Sequence, residues 1–171
     1  MMAIASVFTS CSKDDDSDPV VTDTFDHAQV TIDYEFSADQ IDYFDMSLTV
    51  TDFDGASEVI KITQAGKGSK VCSTKNKNGK VSVNFTSNMK SSAALDATKE
   101  RTFKSIVYYT SAVYHSNGKM SQVKSFSPGI SADQTITQTV SEDVIFNALK
   151  TVFTCDYNNT FSLTNGEFVV K

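Results

Sequence analysis

From about Asp26 onward, apolar and polar residues alternate with a period of two. In "VTIDYEF", Val30, Ile32, Tyr34 and Phe36 fall on one side and Thr31, Asp33 and Glu35 on the other, as a half-buried strand requires. "FDMSLTV" repeats the arrangement with Phe44, Met46, Leu48 and Val50, and "KVSVNFT" with Val81, Val83 and Phe85. Further strands are predicted in "SEVIKIT", the long "TFKSIVYYTSAVYHS", "KMSQVKSF", "TFSLT" and "EFVVK". Asp54-Gly55, Asn78-Gly79, Asn117-Gly118 and Asn165-Gly166 punctuate these runs. Such pairs tolerate the positive φ angles of type I′ turns. Flanked by alternating runs, they predict a mainly β, antiparallel domain over residues 26–171. A count of about seven to nine strands suits a two-sheet β-sandwich, immunoglobulin-like or related, with a barrel as the alternative.

One stretch breaks the alternation. In "SEDVIFNALKTVF", Ser141 can cap a helix, Glu142 and Asp143 suit its first turn, and Lys150 suits its last. Val144, Ile145, Ala148, Leu149, Val152 and Phe153 then share a face at helical spacing. A short helix is predicted near 141–153, although its β-branched and aromatic content also allows a strand. "SSAALDATKER" reads as a helical turn within a longer loop.

The N-terminus follows a different pattern. Residues 1–10, "MMAIASVFTS", carry no charge and are too short to span a bilayer, which takes roughly 20 apolar residues. One reading is a disordered tail; the other is the end of a signal peptide whose basic start lies upstream of Met1. Thr9 and Ser10 are small residues of the kind a signal peptidase accepts, and Cys11 follows them. Phe8-Thr9-Ser10-Cys11 resembles the lipobox of bacterial lipoproteins, with Phe8 where Leu is commoner. That resemblance implies cleavage before Cys11, a diacylglycerol on its thiol and acylation of the new amine. Ser12, Lys13, Asp14, Asp15 and Asp16 in turn resemble the charged export signal of Bacteroidetes surface lipoproteins. A serine directly after the cysteine is similar to lipoproteins sent to the outer membrane. The bland reading of the same charge run is a solvated linker. The expected location is therefore the outer membrane, lipid-anchored and facing the cell exterior. Residues 11–25 would serve as anchor and acidic spacer, extended by self-repulsion. Each buried methylene contributes about 0.8 kcal/mol, so several acyl chains hold where one is marginal.

Composition narrows the function classes. The chain has 171 residues and a net charge of -6, and no long basic cluster, so no nucleic-acid partner is expected. Hydrophobic residues form 40% and charged residues 21%, as in ordinary folded domains rather than disordered chains. With three cysteines and two histidines, a Cys/His zinc site is not expected, and no metal or cofactor is called for. Cys72 and Cys155 could pair outside the cytoplasm, or remain two separate buried thiols; their spacing does not choose between these. "DFDG" (residues 52–55) offers oxygens for Ca²⁺ but lacks the full loop pattern, so a hairpin turn is the favoured reading. "KGSK" lacks Walker spacing.

No G-x-S-x-G or H-E-x-x-H pattern occurs, so no catalytic residue is assigned. His115 is expected as a solvated residue at a strand end. Tyr108 and Tyr114 fall on one face of a long strand, with Tyr109 on the other. If the first two face solvent they could stack on sugar rings, although aromatics in a sandwich are more often core. The absence of Trp lowers the case for glycan binding. The sequence thus predicts a lipid-anchored surface binding, adhesion or accessory module, without catalysis, serving a surface protein or glycan. The alternatives are a glycan-binding lipoprotein of a nutrient-uptake system and, second, a secreted hydrolase or inhibitor.

Overall fold

A computed structural model describes residues 23–91, 100–126, 131–136 and 142–169, the side chains at 122–126, 131–136 and 142–145 excepted. Among the described residues the chain forms ten strands, eight from the predicted runs and two, β4 and β8, from segments not predicted as strands: β1 (Phe25–Phe36), β2 (Phe44–Thr51), β3 (Ser57–Ile62), β4 (Gly66–Thr74), β5 (Gly79–Met89), β6 (Arg101–His115), β7 (Met120–Phe126), β8 (Ser131–Ile136), β9 (Cys155–Thr164) and β10 (Glu167–Val169). They build two five-stranded antiparallel sheets. The first runs β4-β1-β6-β7, with β8 pairing the N-terminal part of β6. The second runs β10-β9-β5-β2-β3.

The predicted inward residues are the core, except Tyr34, which packs against it but stays half-buried at its margin. Val30, Ile32 and Phe36 of β1, Phe44, Met46, Leu48 and Val50 of β2, and Val81, Val83 and Phe85 of β5 are all buried. Burial of such side chains contributes about 1.5–3 kcal/mol each. Rings bridge the two sheets: Phe36 stacks on Phe85 at 5.8 Å, and Tyr109 meets Phe161 edge-on at 5.6 Å.

The predicted helix is α2 (Glu142–Phe153). Its buried face is narrower than expected: Leu149 and Phe153 are buried, whereas Ala148 and Val152 are exposed. Phe153 closes one end of the sandwich, touching Phe44 of the second sheet and Phe103 of the first at ring distances of 5.8 and 6.0 Å. A second, six-residue helix was not anticipated, α1 (Ala38–Tyr43). Ser37 caps it, its Oγ accepting from the amides of Gln40 (3.2 Å) and Lys104 (2.9 Å). Asp39 ties α1 to β6 through Arg101 (3.0 Å) and the Thr102 amide (2.7 Å).

The four Asx-Gly pairs do three different things. Only Asn165-Gly166 has both residues at positive φ (54° and 81°), as a type I′ turn between β9 and β10 requires. At Asp54-Gly55 and Asn117-Gly118 only the glycine is left-handed (86° and 77°). Both are longer hairpin loops in which the Asp54 or Asn117 side chain accepts the amide two residues on. Asn78-Gly79 joins no hairpin, because β4 and β5 belong to different sheets. It marks a crossover between the layers. The predicted turn at 91–101 falls mainly on residues 92–99, outside the described residues, as do residues 1–22.

Candidate functional site

Three surface regions carry chemistry: the outer face of the first sheet, one end of that sheet around His115, and clefts where β3 passes into β4.

On the outer face of β6, Tyr108 is 39% exposed and Tyr114 is half-buried, while Tyr109 points inward and is fully buried. Burial pushes the Tyr109 phenol up to about 12, with the nearby Asn159 side chain pulling the other way. Tyr108 lies opposite Asp33, and Tyr114 opposite His27. The His27 imidazole stacks flat on the Tyr114 ring, with centroids 4.3 Å apart and planes at 6°. The two tyrosines are six residues apart, about 20 Å along a strand, with Thr110 and Ala112 between them. They share a face but do not form a continuous platform for one sugar ring. Val71 and Met120, 49% and 58% exposed, add apolar area to this sheet.

At the end of β6, His115 is not simply solvated. Its Nε2 contacts Ser121 Oγ at 2.6 Å, and its Nδ1 lies 3.3 Å from Asp23 Oδ1. This is the residue order of a Ser-His-Asp relay. A relay also needs amide donors for a developing oxyanion. The Ser116, Gly118 and Lys119 amides are committed to Thr24 O (2.8 Å), His115 O (2.9 Å) and Asn117 Oδ1 (2.9 Å). The cluster holds residues 23–24 against the β6–β7 hairpin.

The clefts lie where the chain leaves the second sheet for the first. A cleft of about 330 Å³ is lined by Asp45, Ser47, Lys61, Thr63, Thr86 and Asn88, among others. A neighbouring one of about 230 Å³ is lined by Tyr34 and residues 61–67. They share Lys61, Ile62 and Thr63. The register explains the first: Lys61 pairs with Ser47, and Ser47 with Thr86, so alternate residues of β3, β2 and β5 line up on the outer face. Tyr34 reaches the second because its ring lies directly over Gly68, where a Cβ would overlap it. Sequence reasoning missed this site, since its residues come from five strands and a loop.

Elsewhere the second sheet's outer face carries laterally bonded polar residues beside the exposed Val59 and Val169. Asn84 Nδ2 donates to Asp156 (2.6 Å) and Asn158 (2.8 Å), and Ser47 and Thr86 share a 2.8 Å hydrogen bond. At the cleft corner, Asp45, Lys61, Thr63 and Asn88 have no side-chain hydrogen bond or ion pair among the described residues.

Cys72 and Cys155 are both free, so the pairing weighed from sequence is not made. Cys72 sits beside Asp52, which follows Thr51 opposite Ser82, whereas Cys155 lies opposite Ser87. Those positions on β5 are about 16 Å apart, beyond the roughly 7 Å between Cα atoms that a disulfide spans. Burial raises the thiols to about 12 and about 11. The carboxylates of "DFDG" are engaged in the turn, Asp52 with the Phe53 amide (2.6 Å) and Asp54 with that of Ala56 (2.8 Å). Among the described residues no cluster of three metal-ligating side chains occurs and no helix is long and apolar enough to cross a membrane. Cys11 and Ser12, Lys13 and Asp14–Asp16 lie outside the described residues. Set against protein-family models, curated proteins and solved structures, the chain matches none.

Proposed function

We propose that this chain is an outer-membrane lipoprotein, anchored through Cys11 and facing the cell exterior, whose β-sandwich domain is a non-catalytic binding module. The anchor rests on Phe8-Thr9-Ser10-Cys11 and the charged run after it. The binding role rests on one observation above the rest: open polar clefts with unengaged side chains at the β3–β4 corner. The arrangement nearest to a nucleophile with its base, Ser121 and His115, has its surrounding amides committed, which favours binding over hydrolysis.

Expression with labelled palmitate tests the anchor. The wild-type chain takes up label and Cys11→Ala does not; equal labelling removes the lipoprotein reading. Replacing Lys13 and Asp14–Asp16 with alanine lowers cleavage by external protease on intact cells, and unchanged cleavage removes the export reading.

A second reading, glycan capture within a nutrient-uptake system, is favoured by the Tyr34 ring in the wall of a polar cleft. Aromatic planes and convergent polar groups are what sugar rings require.

A further inference from the structure

We propose that the paired clefts flanking Lys61–Thr63 bind a neutral oligosaccharide, with Tyr34 as the aromatic wall and Asp45 and Asn88 as the hydroxyl-binding pair. This rests on the reading of the domain as a binding module and names its ligand class.

Three features select that class. The first is concavity. A saccharide needs a cleft that removes its ring from water on more than one side, and the clefts offer about 330 and 230 Å³ around one shared segment. The tyrosine-bearing face of β6 supplies separated rings instead.

The second is the balance of polar groups. Sugar hydroxyls donate and accept at once, so they suit a wall with both capacities. Asp45 accepts, Lys61 donates, and Asn88, Ser47, Thr63 and Thr86 can do both. Asp45 is two residues before Ser47, the cross-strand partner of Lys61, so carboxylate and ammonium lie diagonally on one face. Opposite charges at diagonal positions of one face offset part of each other's field over the cleft. In the second cleft the Lys67 amine is already 3.7 Å from Glu35, which also binds Lys104 at 2.7 Å. The charge of Lys67 is met there by a carboxylate that it shares with Lys104.

The third is availability. Ser47–Thr86 and Asn84–Asp156 show how the same residue types are engaged further along the face. Asp45, Lys61, Thr63 and Asn88 are exposed and lack such partners among the described residues. Exposed side chains bonded only to water can exchange that water for a ligand hydroxyl at little cost. Tyr34 adds what water cannot supply, an apolar plane fixed by Gly68 beneath it.

The test is a titration of the ¹⁵N-labelled, unlipidated full chain with cellopentaose, maltopentaose, xylopentaose and a galacturonate pentamer, followed by amide shifts. At least one neutral pentamer should move the amides of Ser47, Thr63, Gln64, Thr86 and Asn88 saturably. The double variant Asp45→Ala/Asn88→Ala should weaken that binding about ten-fold or more, equivalent to about 1.4 kcal/mol, with an unchanged melting curve. The proposal is overturned if no neutral pentamer moves these amides, if only galacturonate does, or if the double variant binds as well as wild type. Lipid plays no part in this measurement. Its failure therefore leaves the palmitate result standing, and loss of the palmitate result leaves it standing in turn.

Discussion

The outer face of β6 and the β3–β4 cleft both bring tyrosine to the surface, yet only one makes a recess. On β6 the rings project from a flat sheet, about 20 Å apart, and Tyr114 is already covered on one side by His27. At the cleft a single ring, Tyr34, lies across the backbone of an edge strand beside unengaged polar groups. Aromatic content alone therefore does not locate a binding site in this fold. What separates the two regions is curvature, and curvature arises where β3 leaves one sheet and β4 enters the other.

The sharpest contrast lies within β6 itself. Tyr109→Ala empties a fully buried position and should cost about 3–5 kcal/mol, whereas Tyr108→Ala, 39% exposed, should stay within about 0.5 kcal/mol. Urea denaturation of the two variants checks this; equal costs would mean that the outward and inward faces of β6 are wrongly assigned.

The cleft can be broken from beneath. Gly68→Ala puts a methyl group where the Tyr34 ring lies, and should cost about 1–3 kcal/mol by forcing the ring aside. A fully stable Gly68→Ala protein would show that the ring is not held there.

A smaller effect separates two asparagines on the outer side of β5. Asn84→Ala loses hydrogen bonds to Asp156 and Asn158, which should cost about 1 kcal/mol in thermal or urea unfolding. Asn88→Ala, with no such bonds among the described residues, should leave stability within error.

The smallest effect is electrostatic. The Lys104 ammonium bonded to Glu35 holds its carboxyl below the ordinary value of 4.5, with the nearby Lys67 adding to the effect. A carboxyl depressed in the folded state contributes stability above its unfolded pKa, and that contribution is lost as pH falls through the folded value. Both partners are solvated, so the step is shallow and salt-sensitive. Lys104→Met should flatten the acid limb of a stability-against-pH curve, and an unaltered limb would remove Lys104 as its cause.

Strand alternation was legible because the two faces of β1, β2 and β5 differ so cleanly; Val30, Leu48 and Phe85 could hardly face water. Helix α1 was harder to see. Half of its six residues are polar and it buries only Gln40 and Tyr43, so no helical stripe stands out. Ser37 followed three residues later by Gln40 was the available cue, since that spacing is a capping signature. Asn78-Gly79 misled in another way. Local turn chemistry is the same whether the chain returns to its own sheet or crosses to the other, and only long-range pairing decides. The cleft shares that difficulty: nothing near Lys61 in sequence announces Asp45, Thr86 or Asn88 as neighbours. The register of β2 with β3 and β5 creates the site.

Comparing two paired variants in one oligosaccharide titration tests most directly whether recognition belongs to the cleft. Asp45→Ala/Asn88→Ala should lose about ten-fold or more in affinity for the neutral pentamer, while Tyr108→Ala/Tyr114→Ala binds as wild type. The opposite pattern, loss with the tyrosine pair and none with the cleft pair, would contradict the assignment and place the ligand on the flat face of β6.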